Sequence, residues 1–98
     1  MTATLEERNI FLQTLKNMGC GKKADLESKL RDADLSKDVI NDLYEELNCV
    51  GVIRGGYDGL GESRFMCTDF GENYIIAFLS VVQIKEGLST LKNNLAMY

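Results

Sequence analysis

The sequence of 98 residues predicts a single, mainly α-helical domain of the α+β class, with one β-hairpin between its third and fourth helices. Three observations lead to this prediction. Apolar residues recur at helical spacing from residue 39 to residue 47. A loop over residues 55–63 with four glycines separates two short β-like segments. A Thr-x-x-Gly sequence then opens a long last helix, so we expect residues 1–69 to precede a C-terminal helix over 70–97.

The start of the first helix is marked by a capping box. Thr4 is the expected N-cap, and Glu7 stands three residues later, where its side chain can reach back to the Thr4 backbone. The helix should continue to Met18, because Gly19 suits the left-handed conformation that ends helices. We expect a loop over residues 19–21.

The second and third helices are predicted to enclose a short turn. The second runs from about residue 22 to residue 31 and buries Leu26 and Leu30. Ser36 is the expected N-cap of the third helix, and Gly51 permits a sharp exit into the hairpin. Thr68 is the expected cap of the last helix.

The last helix carries an a/d seam, a line of apolar residues with alternating steps of four and three. The seam consists of Phe70, Tyr74, Ala77, Val81, Ile84, Leu88, Leu91 and Leu95. A second apolar face, present only in the first half of the helix, consists of Ile75, Phe78, Leu79 and Val82. We expect the second face to pack on the domain and the seam to meet the same helix of a second subunit, forming a homodimer. The predicted interface consists of Val81, Ile84, Leu88, Leu91 and Leu95. The alternative is a monomer in which the helix folds back on the first helix.

Composition excludes several classes of function. The chain has no histidine and three cysteines without a C-x-x-C pair, so we expect no metal, no cofactor and no catalytic activity. Cys20, between two glycines, is the expected exposed thiol, whereas Cys49 and Cys67 are expected in or beside the core. The longest apolar run, residues 74–84, is too short to span a bilayer, so we expect no membrane contact. An odd number of cysteines without a signal peptide is typical of a reducing compartment, so we expect a cytoplasmic protein.

Two motifs carry a resemblance to a known family. They are Leu47-x-x-x-Gly51-Val52-Ile53 and Phe65-x-Cys67-Thr68-x-x-Gly71. In this order they resemble the MarR/PadR-type winged helix-turn-helix proteins, and small winged-helix proteins of phages and archaeal viruses are similar. Cys67 stands where the family has a leucine, a change that a small apolar thiol tolerates.

The resemblance implies a transcriptional regulator that binds double-stranded DNA. The third helix would then be the recognition helix, and residues 55–63 would be the wing. Tyr57 and Leu60, at the tip of the wing, would either contact a partner or fold down onto the domain.

Individual residues suit these roles. Asn41 can read an adenine edge and Lys37 a guanine edge, with Ser36 beside them at the start of the helix. Basic side chains for the phosphate backbone are available at Lys22, Lys23, Arg54 and Arg64.

Charge also supports a second reading. The chain has 11 Lys and Arg residues against 15 Asp and Glu residues, a net charge of -4, which opposes general attraction to phosphate. The solvent face of the third helix carries one lysine and four carboxylates, namely Asp38, Asp42, Glu45 and Glu46. The alternative function is therefore a protein-interaction module that binds a basic partner through this helix and does not bind DNA.

Overall fold

The computed structural model describes the backbone of residues 3–96 and the side chains of residues 3–82. The described residues form four helices and three strands. In order they are α1 (Leu5–Met18), β1 (Cys20–Lys22), α2 (Lys23–Asp32), α3 (Lys37–Cys49), β2 (Ile53–Tyr57), β3 (Ser63–Cys67) and α4 (Asp69–Ala96). The predicted α+β class and the predicted succession of four helices with a hairpin before the last are both confirmed.

Local signals fixed both ends of α1 as expected. Thr4 Oγ1 accepts a hydrogen bond from the Glu7 amide, and Glu7 Oε1 accepts one from the Thr4 amide at 2.8 Å, which completes the capping box. At the other end Gly19 adopts φ 72°, and its amide donates to the Leu15 carbonyl. The helix buries one apolar face toward the rest of the domain.

The turn between α2 and α3 is closed by a buried leucine and a capping serine. Asp34 adopts φ 68°, and this left-handed residue returns the chain so that Leu35 points into the core. Ser36 Oγ then accepts a hydrogen bond from the Val39 amide at 3.3 Å and caps α3 as predicted.

The three strands form one antiparallel sheet in the order β1-β3-β2. β2 and β3 are the predicted hairpin, but the loop predicted at residues 19–21 is mostly strand β1, which pairs Cys20 with Met66 and Lys22 with Arg64. The prediction of a loop there was wrong because this pairing joins segments distant in sequence. A strand of three residues is too short to show an alternating pattern of its own.

The core lies between the helices and the inner face of the sheet. It includes residues from every helix, together with Val52, Ile53 and Phe65 from the hairpin. The fully enclosed side chains of α1 and α2 are Phe11, Leu12, Leu15, Leu26 and Leu30.

The two sequence motifs meet at the junction between the hairpin and α4. Thr68 Oγ1 donates to the Gly51 carbonyl at 2.5 Å and accepts from the Gly71 amide at 2.9 Å, so one hydroxyl caps α4 and joins it to the end of α3. Gly71 packs against the backbone of Val52, where an added Cβ would overlap the Val52 carbonyl oxygen and lie 3.1 Å from Cys67 Sγ. The spacing Thr-x-x-Gly therefore fixes where α4 leaves the domain.

The described part of α4 packs its predicted second apolar face on the domain, but the predicted seam is divided, because the seam residue Tyr74 also packs partly buried against the core. Ile75 is buried, and Phe78 and Leu79 pack partly buried against the core. On the seam, Phe70 is 57% exposed and Val81 is 53% exposed. The side chains of Ile84, Leu88, Leu91 and Leu95, predicted in the dimer interface, lie outside the described residues. No helix in the part of the chain that the structure describes is long and apolar enough to cross a membrane.

Candidate nucleic-acid interface

Helix α3 presents three different surfaces around its axis. Its buried side consists of Val39, Ile40, Leu43, Tyr44 and Leu47. At 100° per residue, Lys37, Asn41 and Asn48 lie along the flank next to Tyr44, and all three are exposed. On the opposite flank lies Glu46, beside Val39. The line pointing furthest into solvent consists of Asp38, Asp42 and Glu45.

Glu46 is neutralised from within the domain. The Arg8 guanidinium of α1 forms a two-pronged ion pair with its carboxylate, with the second hydrogen bond at 3.2 Å. This hydrogen bond holds the pKa of Glu46 below its ordinary value. One of the four carboxylates expected on the solvent face of α3 is thus occupied by a partner 38 residues earlier, which the sequence pattern did not reveal.

Tyr44 links α3 to the sheet and to the start of α2. Its side chain is buried, with 9% exposure. The Lys23 ammonium lies 4.5 Å from the centre of its ring, and a Cβ at Gly55 would come within 3.3 Å of its hydroxyl. Burial raises the pKa of the Tyr44 hydroxyl, with a smaller contribution from the charge of Glu27. Lys23 therefore lies at the edge of α3 that borders the flank of Lys37 and Asn41.

The other basic candidates lie on the outer face of the sheet. Directly paired residues project to the same face, and successive residues alternate. Phe65 faces the core, so its neighbour Arg64 projects outward with its partner Lys22, and Arg54 follows on β2 opposite Met66. The residues predicted from the sequence thus form two groups. The first group lies at α3 and consists of Lys23, Lys37 and Asn41. The second group lies on the sheet and consists of Lys22, Arg54 and Arg64.

Most of these cations already have a carboxylate nearby. Lys22 Nζ lies 3.0 Å from Glu62 Oε2, Lys23 Nζ lies 3.9 Å from Glu27 Oε1, and an Arg64 guanidinium nitrogen lies 3.6 Å from Asp58 Oδ2. Among the residues described, Arg54 makes no ion pair. These contacts are solvent-exposed, so each contributes little to folding and stays open to exchange with another anion.

The hairpin loop is ordered by a single aspartate. Asp58 Oδ1 accepts hydrogen bonds from the amides of Leu60 at 2.8 Å and Glu62 at 3.0 Å. These two hydrogen bonds, followed by the Arg64 charge, hold the pKa of Asp58 below its ordinary value. Tyr57 and Leu60 do not fold down, since they are 81% and 90% exposed. An Asp-Gly pair is a common turn signal, so the role of Asp58 was open to prediction from residues 58–59.

The three cysteines divide differently from the prediction. Cys20 is exposed, as expected, and Cys67 is half-buried beside the core. Cys49, expected in or beside the core, is exposed, because its position on α3 turns it away from the buried side. Burial raises the pKa of the Cys67 thiol, with a smaller contribution from Glu72.

Solved structures share this arrangement of helices and hairpin. Sso10a-2, a DNA-binding protein from Sulfolobus solfataricus, matches with a TM-score of 0.77 and 14% sequence identity over 97% of this chain and 94% of its own. F93 from STIV, a winged-helix DNA-binding protein, matches with a TM-score of 0.71 and 20% identity over 84% of this chain and 92% of its own. The chain has a winged-helix fold. The fold implied by the two sequence motifs is therefore confirmed.

A longer protein also matches. A MarR-family transcriptional regulator from Silicibacter pomeroyi has a TM-score of 0.57 and 15% identity over 95% of this chain and 70% of its own. Comparison with protein-family models and with curated proteins gives no match. Within this winged helix, α2 and α3 form the helix-turn-helix and residues 55–63 form the wing.

Proposed function

We propose that the protein is a homodimeric winged-helix DNA-binding protein that acts as a transcriptional regulator in the cytoplasm. The observation that carries the proposal is the exposed flank of α3, where Lys37 and Asn41 lie on the same side as Lys23. An asparagine can bond both adenine N6 and N7, and a lysine can bond guanine O6 and N7. Solved structures with the same fold include proteins described as DNA-binding.

Charge decides how α3 would approach a duplex. Asp38, Asp42 and Glu45 point directly outward and would be repelled by phosphates if the helix entered the groove along that line. The side chains of the flank itself, Lys37, Asn41 and Asn48, carry no negative charge, so we expect the helix to enter tilted onto this flank. Glu45 lies one turn after Asn41, and Glu27 pairs with Lys23, so the Lys37 end of the flank would lie nearest the duplex. Ser36 stands at the same end of α3, with its oxygen occupied by the cap and its hydroxyl hydrogen available to a base or phosphate.

Phosphate contacts are assigned to the remaining basic residues. Lys23 lies next to the α3 flank, Lys22 lies on β1, and Arg54 and Arg64 lie on the two strands of the hairpin. Contacts to DNA phosphates position a protein on the duplex but do not distinguish one base sequence from another. Tyr57 and Leu60, exposed at the wing tip, would contact the duplex beyond the ends of β2 and β3.

Dimerisation is proposed through the seam of α4. Phe70 and Val81 expose more than half of their surface although both are large and apolar, and they lie on the line that continues to Leu88 and Leu95. Covering such side chains with the same helix of a second chain would contribute roughly 1.5–3 kcal/mol for each one fully buried. Two copies of α3 would then face two half-sites.

Selection from random duplexes at low and physiological salt tests the DNA-binding proposal. We expect enrichment of a two-fold symmetric sequence. Asn41→Ala should weaken preference at one base pair per half-site by about 1–3 kcal/mol. Arg64→Gln should weaken all sequences alike and reduce the salt slope by about one. Asn17→Ala and Lys16→Gln, exposed changes on α1, are the matched controls. Failure to enrich any sequence at low salt would contradict the proposal.

A protein-interaction module remains the second candidate function. It is favoured by the outward line of Asp38, Asp42 and Glu45, which leaves three carboxylates together on α3 even after Arg8 occupies Glu46. A basic protein surface would be the complementary partner. If no duplex is selected, Asp42→Lys should abolish capture of a basic partner, whereas Glu6→Lys on α1 should not.

A further inference from the structure

Two cations at the base of the wing form ion pairs with carboxylates of the wing loop. Lys22 and Arg64 are direct partners in the β1–β3 register and project from the same face of the sheet. The Lys22 ammonium lies 3.0 Å from Glu62, and the Arg64 guanidinium lies 3.6 Å from Asp58. Both carboxylates come from the loop between β2 and β3. The loop therefore places a negative charge beside each of two neighbouring positive charges.

The carboxylates of Asp58 and Glu62 make different contacts in the loop. Asp58 accepts two loop amides and shapes the turn, so changing it would alter the wing as well as its charge. The Glu62 side chain is half exposed, and within the described residues its one charged contact is with Lys22. The hydrogen bond from Lys22 to Glu62 raises the pKa of Lys22. Glu62 thus offers a change of charge without a change of loop geometry.

A DNA phosphate at this place would meet both members of the pair. It would compete with Glu62 for the Lys22 ammonium, and a displaced Glu62 carboxylate would remain a few ångströms from the phosphate and repel it. Two effects therefore reduce the binding free energy gained from a phosphate contact at Lys22, namely the loss of the Lys22–Glu62 ion pair and the repulsion between Glu62 and the phosphate. Lys22 and Lys23 also line a hollow of about 230 Å³ together with Glu27 and Glu62. Two positive and two negative side chains therefore lie around this hollow, between the hairpin loop and α2.

We propose that Glu62 is an affinity-limiting residue of the DNA interface, which competes with phosphate for Lys22 and keeps binding to non-specific DNA weak. The inference rests on the proposed DNA-binding function. The proposed effect of Glu62 on DNA affinity comes from its ion pair with Lys22 and is separate from the effect of the net charge of the chain.

The test compares binding of a random-sequence duplex by the whole chain and by Glu62→Gln across a salt series. The variant should bind roughly threefold to tenfold more tightly, with a salt slope steeper by about one phosphate contact. Glu6→Gln, an exposed change in the first turn of α1, gives the same net charge away from the wing and should change affinity much less. The thermal midpoint of Glu62→Gln should equal that of the unaltered chain.

A double variant separates the Lys22 contact from net charge. In the Lys22→Gln background, Glu62→Gln should raise affinity no more than Glu6→Gln does. If Glu62→Gln and Glu6→Gln have equal effects while the unaltered chain binds DNA, the inference is overturned and the proposed function stands. If neither the chain nor any variant binds duplex DNA at low salt, both are overturned.

Discussion

Thr68 and Gly71 show how two residues determine where the last helix starts. The Thr68 hydroxyl is both donor and acceptor, because it donates to the Gly51 carbonyl and accepts from the Gly71 amide. Gly71 contributes by lacking a side chain, since the space a Cβ would need is filled by the Val52 carbonyl. The requirement for glycine here comes from close packing between backbones, whereas Gly19 and Gly51 adopt positive φ angles.

Replacing Gly71 by alanine should therefore displace α4 from the hairpin. We expect Gly71→Ala to lower the free energy of unfolding by about 2–3 kcal/mol through overpacking against Val52. Gly59→Ala is the matched control, because nothing lies within 4 Å of a Cβ there, and it should be nearly neutral. Urea unfolding of both variants measures the difference. Equal midpoints would show that the junction accommodates a methyl group.

The pair between Arg8 and Glu46 predicts a dependence of stability on pH. Since the folded state lowers the pKa of Glu46, its contribution is present above the unfolded pKa of about 4.5 and is lost as pH falls through the folded value. Glu46→Gln should therefore lower stability at pH 7, by at most about 1 kcal/mol for so exposed a pair. The difference from the unaltered chain should shrink at pH 3. Urea midpoints at both pH values measure it, with Glu45→Gln as control. A constant difference would rule out this explanation.

Among the elements, α3 has one continuous apolar side, and its polar side consists of a flank with Lys37 and Asn41 next to a line of carboxylates. Its apolar residues fix the rotation of the helix, because any other rotation would expose Leu43 and Leu47. With that rotation fixed, Asp42 must face solvent and Lys37 must lie on the flank near Tyr44. Packing therefore decides which polar residues a partner can reach.

Two substitutions on α3 test its rotation. Leu43 is 2% exposed, so Leu43→Ala should reduce the free energy of unfolding by about 2–5 kcal/mol through loss of contacts and formation of a cavity. Asp42→Ala should stay within about 0.5 kcal/mol of the unaltered chain. Denaturant midpoints in the reverse order would show that the helix is turned the other way.

Elements with local signals could be predicted from the sequence, and those made by distant pairing could not. Thr4, Ser36 and Thr68 mark helix starts through bonds to residues three positions away, so the sequence shows both partners together. Strand β1 depends on β3, and its three residues carry no alternation of their own. The Lys22–Glu62 contact likewise spans 40 residues and requires the register of the sheet. The Lys23–Glu27 pair, by contrast, joins residues four apart on one helix, a spacing that the sequence shows.

At the scale of the whole molecule, α4 extends far beyond the compact part of the domain. It has 28 residues, and the molecule measures 62 Å along its longest axis against 27 and 22 Å along the others. The apolar side chains Phe70 and Val81 are exposed on the part nearest the domain. An extension with an apolar line along it suits association with a second copy.

Light scattering tests the proposed dimer. We expect a mass of about twice the 11.0 kDa of one chain. Val81→Glu should shift the protein toward monomers, because it places a charge in the apolar seam. Ser80→Glu, an exposed change one residue away and off the seam, should leave the mass unchanged. A monomeric mass at high concentration would contradict the proposal, as would an unchanged mass after truncation following Lys85.

The contact between Gly71 and Val52 also makes α4 a lever that pivots at its first turn. A helix of 28 residues is about 42 Å long, so a 10° change of tilt at its first turn moves its far end by about 7 Å. The reverse also holds, since the far ends joined in a dimer would set the tilt at each junction. The distance between two α3 helices, and with it the spacing of half-sites along a duplex, would then be determined by the angle at a single glycine.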